Sequence, residues 1–239
     1  MYYNIEEQCD GFGAQYQKII QCYCYCKLNN IEYAYRAFYI VEHNYTNDSN
    51  YINNLENLIN LKSKLPNITS NTKLNIIDYS YIRKIFEDNM DKYCKSNAMQ
   101  LIKECFWENK SRDFFKNGKI NVAVHIRRPN CYDNRIQGTN TPDNYYLNVL
   151  NNIRQKYKEN ELCFHIYSQG HINDFNCYIN NDVILHINED IITTFIGLVS
   201  SEILVTSASS FSYAAALISD GEIYYLPFWH TPCSNWIIV

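Results

Sequence analysis

Glycine is scarce: there are seven in 239 residues, about 3% where roughly 7% is usual. With only five prolines as well, collagen-like repeats and Pro/Gly-rich low-complexity architecture are excluded. In such a chain each glycine marks a place where the backbone turns sharply or something approaches it closely. Charge is also sparse, at 19% of residues with a net value of −4 and a pI near 5.9. A protein that coats nucleic acid carries a basic excess, so nucleic acid is not an expected partner. No apolar run approaches the ~18 residues of a membrane-spanning helix. The opening Met1-Tyr2-Tyr3-Asn4-Ile5-Glu6-Glu7 lacks the basic and apolar regions of a signal peptide. These absences predict a cytoplasmic chain with no transmembrane segment.

The ten cysteines fit reduced thiols better than staples, because the chain is long enough to build a core without them. Cys22, Cys24 and Cys26 form Cys-x-Cys-x-Cys, with no partner at zinc-site spacing. Buried packing is expected for them, and no metal. The four Asn-x-Ser/Thr sequons, beginning at Asn44, Asn47, Asn67 and Asn109, follow from an Asn-rich composition.

Apolar residues make up 46% of the chain and aromatics 15%, enough for a sizeable core. The second half alternates strand and helix. Strands are expected at residues 120–126, 162–167, 183–187, 203–206 and 223–226. A helix starts at Thr141-Pro142-Asp143, with Tyr146, Val149, Ile153 and Tyr157 on one face. Further helices fall at residues 174–179, 190–200 and 210–219. Such βα repetition implies a parallel sheet covered on both faces, with ligands beyond the carboxyl ends of its strands.

The first half is sparser. A strand at residues 2–7 leads through a glycine loop to a helix ending near Leu28, followed by a strand over 33–41. A helix begins at Ile52 and Leu55, and residues 80–110 read as helical. The expected fold is α/β, with an N-terminal domain over 1–117 and a C-terminal Rossmann-like domain over 118–239.

Three loops point to a phosphate. Gly11-Phe12-Gly13-Ala14-Gln15 joins a strand to a helix start, where free N–H groups favour an anion; the third glycine of a dinucleotide fingerprint is replaced by Tyr16. A plain tight turn reads equally well. His125-Ile126-Arg127-Arg128 closes a buried strand. The chain has seven arginines against fourteen lysines, so an adjacent pair is not background, and guanidinium groups grip diphosphate bidentately. The competing reading is an Arg pair bonding acidic residues between the domains. Ser207-Ala208-Ser209-Ser210-Phe211-Ser212 sets four serines before a helix, where a single serine would be an ordinary cap.

Together the three loops resemble the fucosyltransferase superfamily that holds the α1,2-, α1,6- and protein O-fucosyltransferases. Gly11-Phe12-Gly13-Ala14-Gln15 is similar to the Gly-Leu-Gly-Asn-Gln of the α1,2 family. His125-Ile126-Arg127-Arg128-Pro129-Asn130 is similar to His-x-Arg-Arg-x-Asp, and Ser209-Ser210-Phe211-Ser212 to its serine motif. The resemblance implies a GT-B-like fold of two Rossmann-like halves, the first reduced. It implies an inverting, metal-independent, cofactor-free transfer of fucose from GDP-fucose to a glycan hydroxyl. Under it Arg127 holds the β-phosphate, Arg128 supports the site and His125 contacts the nucleoside. Glu202 reads the guanine edge, through hydrogen bonds adenine cannot offer. Ser209, Ser210 and Phe211 line the diphosphate and ribose, while Gly11, Phe12, Gly13 and Gln15 form the first domain's donor loop.

Pro129-Asn130 departs from the pattern and removes the motif's acid; Asp133 is the nearby substitute. Such departures would make the chain a divergent or viral member. They also keep two other readings open: a non-catalytic nucleotide- or glycan-binding module, and a transferase using another nucleotide-sugar.

Overall fold

A computed structural model of the chain describes residues 1–7, 9–128, 141–157 and 161–239. It divides into two compact units. Unit 1 holds Met1–Ser111 with His230–Ser234, and unit 2 holds Arg112–Trp229 with Asn235–Val239.

In unit 1, β1 (Tyr2–Asn4) and β2 (Cys9–Gly11) precede α1 (Phe12–Leu28). Then come β3 (Ile40–Glu42), α2 (Tyr51–Ile59), β4 (Leu74–Ile76), α3 (Tyr79–Glu87), α4 (Met90–Cys94) and α5 (Asn97–Trp107). The strands form two short parallel pairs, β1 with β4 and β2 with β3. The expected strand over 33–41 is mostly isolated bridges, Tyr3 to Tyr33 and Tyr35 to Asn67. The helical stretch over 80–110 is three helices. Asn89 Nδ2 donates to the Ile85 carbonyl at 2.9 Å and closes α3. Ser96 Oγ accepts from the Met99 N–H at 3.2 Å and opens α5. Local side-chain competition for the backbone breaks the run. α1 is buried along most of its length, and Cys22, Cys24 and Cys26 are fully enclosed on it.

In unit 2, β5 (Ile120–His125), α6 (Asp143–Lys156), β6 (Leu162–Ser168), a 3₁₀ helix (Ile172–Tyr178) and β7 (Val183–Ile187) are followed by α7 (Ile191–Ser200). The unit continues with β8 (Ile203–Val205), α8 (Ser210–Ile218), β9 (Glu222–Tyr225) and β10 (Ile237–Ile238). The six strands are parallel, in the order β10-β9-β8-β5-β6-β7. Read from β7, this is the 3-2-1-4-5-6 order of dinucleotide-binding folds. The fold is therefore α/β with parallel sheets, as the βα alternation implies.

The alternation within each strand sorts the sheet's two faces. Val122, Val124, Leu162, Phe164, Ile166, Ile203 and Val205 share one core cluster with Tyr146, Val149, Leu150 and Ile153 of α6. Each such side chain contributes about 1.5–3 kcal/mol by leaving water. The opposite alternation carries Asn121, His125, His165, Tyr167 and His186, of which His125, Tyr167 and His186 pair in register across β5, β6 and β7. Here α7 lies so close that a Cβ on Gly197 would stand 2.2 Å from Tyr167 Oη. This is a glycine demanded by approach to a side chain.

Candidate functional site

Between β5 and β8 the strand order reverses, which is where open α/β sheets bind ligands, beyond the carboxyl ends. The chain leaves β5 through His125-Ile126-Arg127-Arg128 and leaves β8 through Thr206-Ser207-Ala208-Ser209. Topology thus brings two of the three loops to one crevice.

The contact between them is a hydrogen bond. Ser207 Oγ lies 2.8 Å from His125 Nδ1. Ser207 is fully enclosed, and its hydroxyl also lies 3.3 Å from Ser212 Oγ. Ser212 Oγ accepts from the Ser207 N–H at 3.1 Å and can donate to the Ser207 or Ser209 carbonyl, each 3.3 Å away. The Ser212 proton is therefore occupied, and two arrangements satisfy the Ser207–His125 contact: Ser207 Oγ donates to Nδ1, or Nδ1–H donates to Ser207 Oγ while the Ser207 proton turns to Ser212 Oγ. Burial, reinforced by the charge of Arg127, pushes His125 down to about 3, so the ring is neutral at physiological pH. Phe211 packs on it at 5.4 Å between ring centres, with Phe195 behind Phe211 at 5.3 Å.

Arg127 is half-buried at the same edge. Arg128 is already committed: Nη1 donates to the Thr141 carbonyl at 2.7 Å, and Nη2 pairs with Asp143 Oδ1. That carboxylate also accepts from Tyr178 Oη at 2.7 Å. Arg128 is thus paired with an acid of its own unit, where it braces the start of α6. These contacts give Arg128 the geometry of a positioning residue. Asp133 lies outside the described residues.

Two further expectations are redirected. Ser209 is the N-cap of α8, its Oγ accepting from the Phe211 N–H at 3.2 Å, so its hydroxyl serves the helix. Ser210 begins α8, half-buried. Glu202 precedes β8 and so sits at the amino edge of the sheet. Its Oε2 accepts from the Asn121 N–H at 2.7 Å and Asn121 Nδ2 at 3.2 Å. Asn121 and His125 are four residues apart on one strand, about 13 Å at ~3.3 Å per residue. Glu202 is therefore separated from the His125 edge and serves the amino end of β5.

In unit 1 the glycine loop is mostly structural. Gly11 is the N-cap of α1 in extended conformation, φ −64° and ψ 157°. No left-handed turn is needed; a Cβ there would meet His43 Cδ2 at 2.8 Å. The close approach is to His43. Asp10 Oδ1 accepts the Gly11 N–H at 2.8 Å, which places a carboxylate at this helix start. Phe12 is buried, stacked on Tyr16 at 5.5 Å and edge-on to Phe38 at 5.9 Å. Gln15 Nε2 ties the Asp10 and Ile40 carbonyls at 2.7 Å each, and Gly13 is buried within α1. Phe12 and Gln15 hold β2, β3 and α1 together.

Sequence reasoning passed over Ser207 as a site residue, and Asp143 and Tyr178 as the partners that engage Arg128. Ser207 lay within the serine cluster, but its pairing with His125 needs the β5–β8 adjacency. Among the described residues no group of three or more His, Cys, Asp or Glu side chains is placed to hold a metal ion. No helix there is long and apolar enough to cross a membrane.

No family model matches the chain, and no curated protein matches it. Among solved structures, the chain is similar to NodZ α-1,6-fucosyltransferase soaked with GDP-fucose, with TM-score 0.45 and 10% identity over 97% of this chain and 99% of that one. It is similar to fucosyltransferase NodZ from Bradyrhizobium, with TM-score 0.46 and 12% identity over 91% and 93%. A third likeness is to POFUT1 in complex with GDP, with TM-score 0.46 and 10% identity over 92% and 94%.

Proposed function

We propose that the β5–β8 crevice binds the diphosphate of a nucleotide-sugar, and that the chain is an inverting, metal-independent glycosyltransferase moving fucose from GDP-fucose to a glycan hydroxyl. The observation that carries the reading is the meeting of His125, Arg127 and the Ser207–Ser212 loop at the switch point of a 3-2-1-4-5-6 sheet. The choice of GDP-fucose rests on the similarity of the His-Ile-Arg-Arg and Ser-Ser-Phe-Ser motifs to those of fucosyltransferases.

In this reading the acceptor hydroxyl oxygen attacks the anomeric carbon as that carbon's bond to the β-phosphate oxygen breaks, and the hydroxyl proton passes to solvent. Negative charge gathers on the departing diphosphate. Arg127 meets it as a fixed cation, and the first turn of α8 adds N–H dipoles. His125 donates from Nε2 as a neutral imidazole, held in that tautomer by Ser207. Charges fixed in advance at the site of developing charge commonly supply the largest catalytic contribution. A charge pair at ~4 Å under an effective dielectric of ~20 is worth about 4 kcal/mol before desolvation. Arg128 contributes indirectly, by pinning Thr141 and Asp143 at the head of α6.

The test is a thermal-shift screen of GDP, UDP and dTDP, followed by transfer of labelled fucose from GDP-fucose to a glycan panel. A ligand at ~100 times its Kd raises stability by about 2.7 kcal/mol. A GDP shift with transfer supports the reading. A GDP shift with neither transfer nor donor hydrolysis makes the protein a binding module. A shift with UDP or dTDP alone makes the donor a different nucleotide-sugar.

A further inference from the structure

The segment His230–Ser234 belongs to unit 1, although the residues flanking it belong to unit 2. Side chains fasten it along α3 and α4. His230 Nδ1 lies 2.8 Å from Glu87 Oε1, and its Nε2 lies 2.8 Å from Gln17 Nε2. The Ser234 N–H donates to Asp91 Oδ1 at 2.9 Å. Between these anchors, Cys233 Sγ stands 3.0 Å from Cys94 Sγ, the last residue of α4. Cys233 is buried and Cys94 partly open.

We propose that Cys94 and Cys233 are a disulfide-forming pair, a modification site that covalently fixes the 230–234 segment to α4. A disulfide requires sulfurs at about 2.05 Å, so an approach of about 1 Å converts the contact into a bond. The anchors on both sides hold the two backbones in place for that approach. The bond would close a loop with a sequence separation of 139 residues. Long loops are those in which a cross-link most restricts the unfolded chain.

The oxidant is a low-molecular-weight disulfide. Cys94, the more open sulfur, loses its proton and attacks one sulfur of that disulfide. The other half leaves as a thiol carrying the proton. Cys233 then loses its proton and displaces the second half in the same way. Two protein thiols and one small disulfide become one protein disulfide and two small thiols, with electrons and protons balanced.

The test equilibrates the full chain with glutathione disulfide, alkylates what remains and maps peptides without reduction. The expected result is a Cys94–Cys233 linked peptide and a melting temperature raised by about 5–15 °C, both reversed by dithiothreitol. Cys233→Ser should abolish the linked peptide and the rise. The peptide map of the unmutated chain decides the question even if that variant does not fold. Complete alkylation of Cys94 and Cys233, or a link joining other cysteines instead, overturns the proposal.

Discussion

Ser207→Ala tests the site through a residue that need not touch the ligand. Ser207 Oγ lies 2.8 Å from His125 Nδ1; in the proposed site it donates there and keeps the ring proton on Nε2. A net hydrogen bond is worth about 1 ± 0.5 kcal/mol, and an orphaned buried acceptor costs about 1–3 kcal/mol. Without the hydroxyl nothing holds the ring in one tautomer, and its proton divides between Nε2 and Nδ1. A bias of about 1.4 kcal/mol is a factor of ten in population. The molecules with the proton moved turn a lone pair toward the departing diphosphate, and losing such a donor outright costs about 10²–10³ in rate. Ser207→Ala should therefore lower kcat about 10- to 100-fold, with a smaller change in donor KM. The assay is steady-state GDP release and fucose transfer, with melting temperature as the folding control. His125→Ala should fall at least as far, and the double variant no further than His125→Ala, because both changes act through one N–H. Full turnover in folded Ser207→Ala, or simple additivity in the double variant, would refute the reasoning.

Three other outcomes follow. Arg128→Ala removes the bonds to Thr141 and Asp143; it should lower the melting temperature by a few degrees and reduce turnover through loosened positioning, and an unchanged melt would contradict the bracing role. Glu202→Gln should leave the preference for GDP over UDP intact, because Glu202 serves Asn121; a lost preference in the donor screen would restore the guanine-reading role. Acid should destabilise the fold. Burial pushes His125 down to about 3 and, with His186 adding to it, His165 down to about 4. Both lie below the unfolded value of ~6.5, so their stabilising contribution is present above that pH and is lost as pH falls toward the folded values. At pH 5 the loss is about 2 kcal/mol for each, measurable by urea denaturation across pH 5–7.

The second half was legible because periodicity and buried strands agree there. Val122, Val124, Phe164 and Val205 are core residues in strands, and the βα alternation leaves one sheet type available. The start of α6 was readable from Thr141-Pro142-Asp143, and that of α7 from Asp190, whose Oδ1 accepts from Ile192 and Thr193 N–H groups at 2.9 Å. The strands β4 and β10 were not readable, since three and two residues carry too little pattern. The site was legible in part. His125 and Arg127 follow from a strand end, but Ser207 needs the β5–β8 adjacency that only topology supplies. Glu202 was misplaced because a motif fixes sequence position and not sheet edge. For Phe12 and Gln15 the spacing of the glycine loop did not show that they also seat α1 on β2 and β3.

The central claim is that Arg127 holds a nucleoside diphosphate at the β5–β8 crevice. Calorimetric titration of GDP into the unmutated chain and into Arg127→Ala tests it most directly. The account predicts saturable one-site binding that weakens at least tenfold in the folded variant. Equal affinity in the two proteins, or no binding of GDP to the unmutated chain, would contradict it.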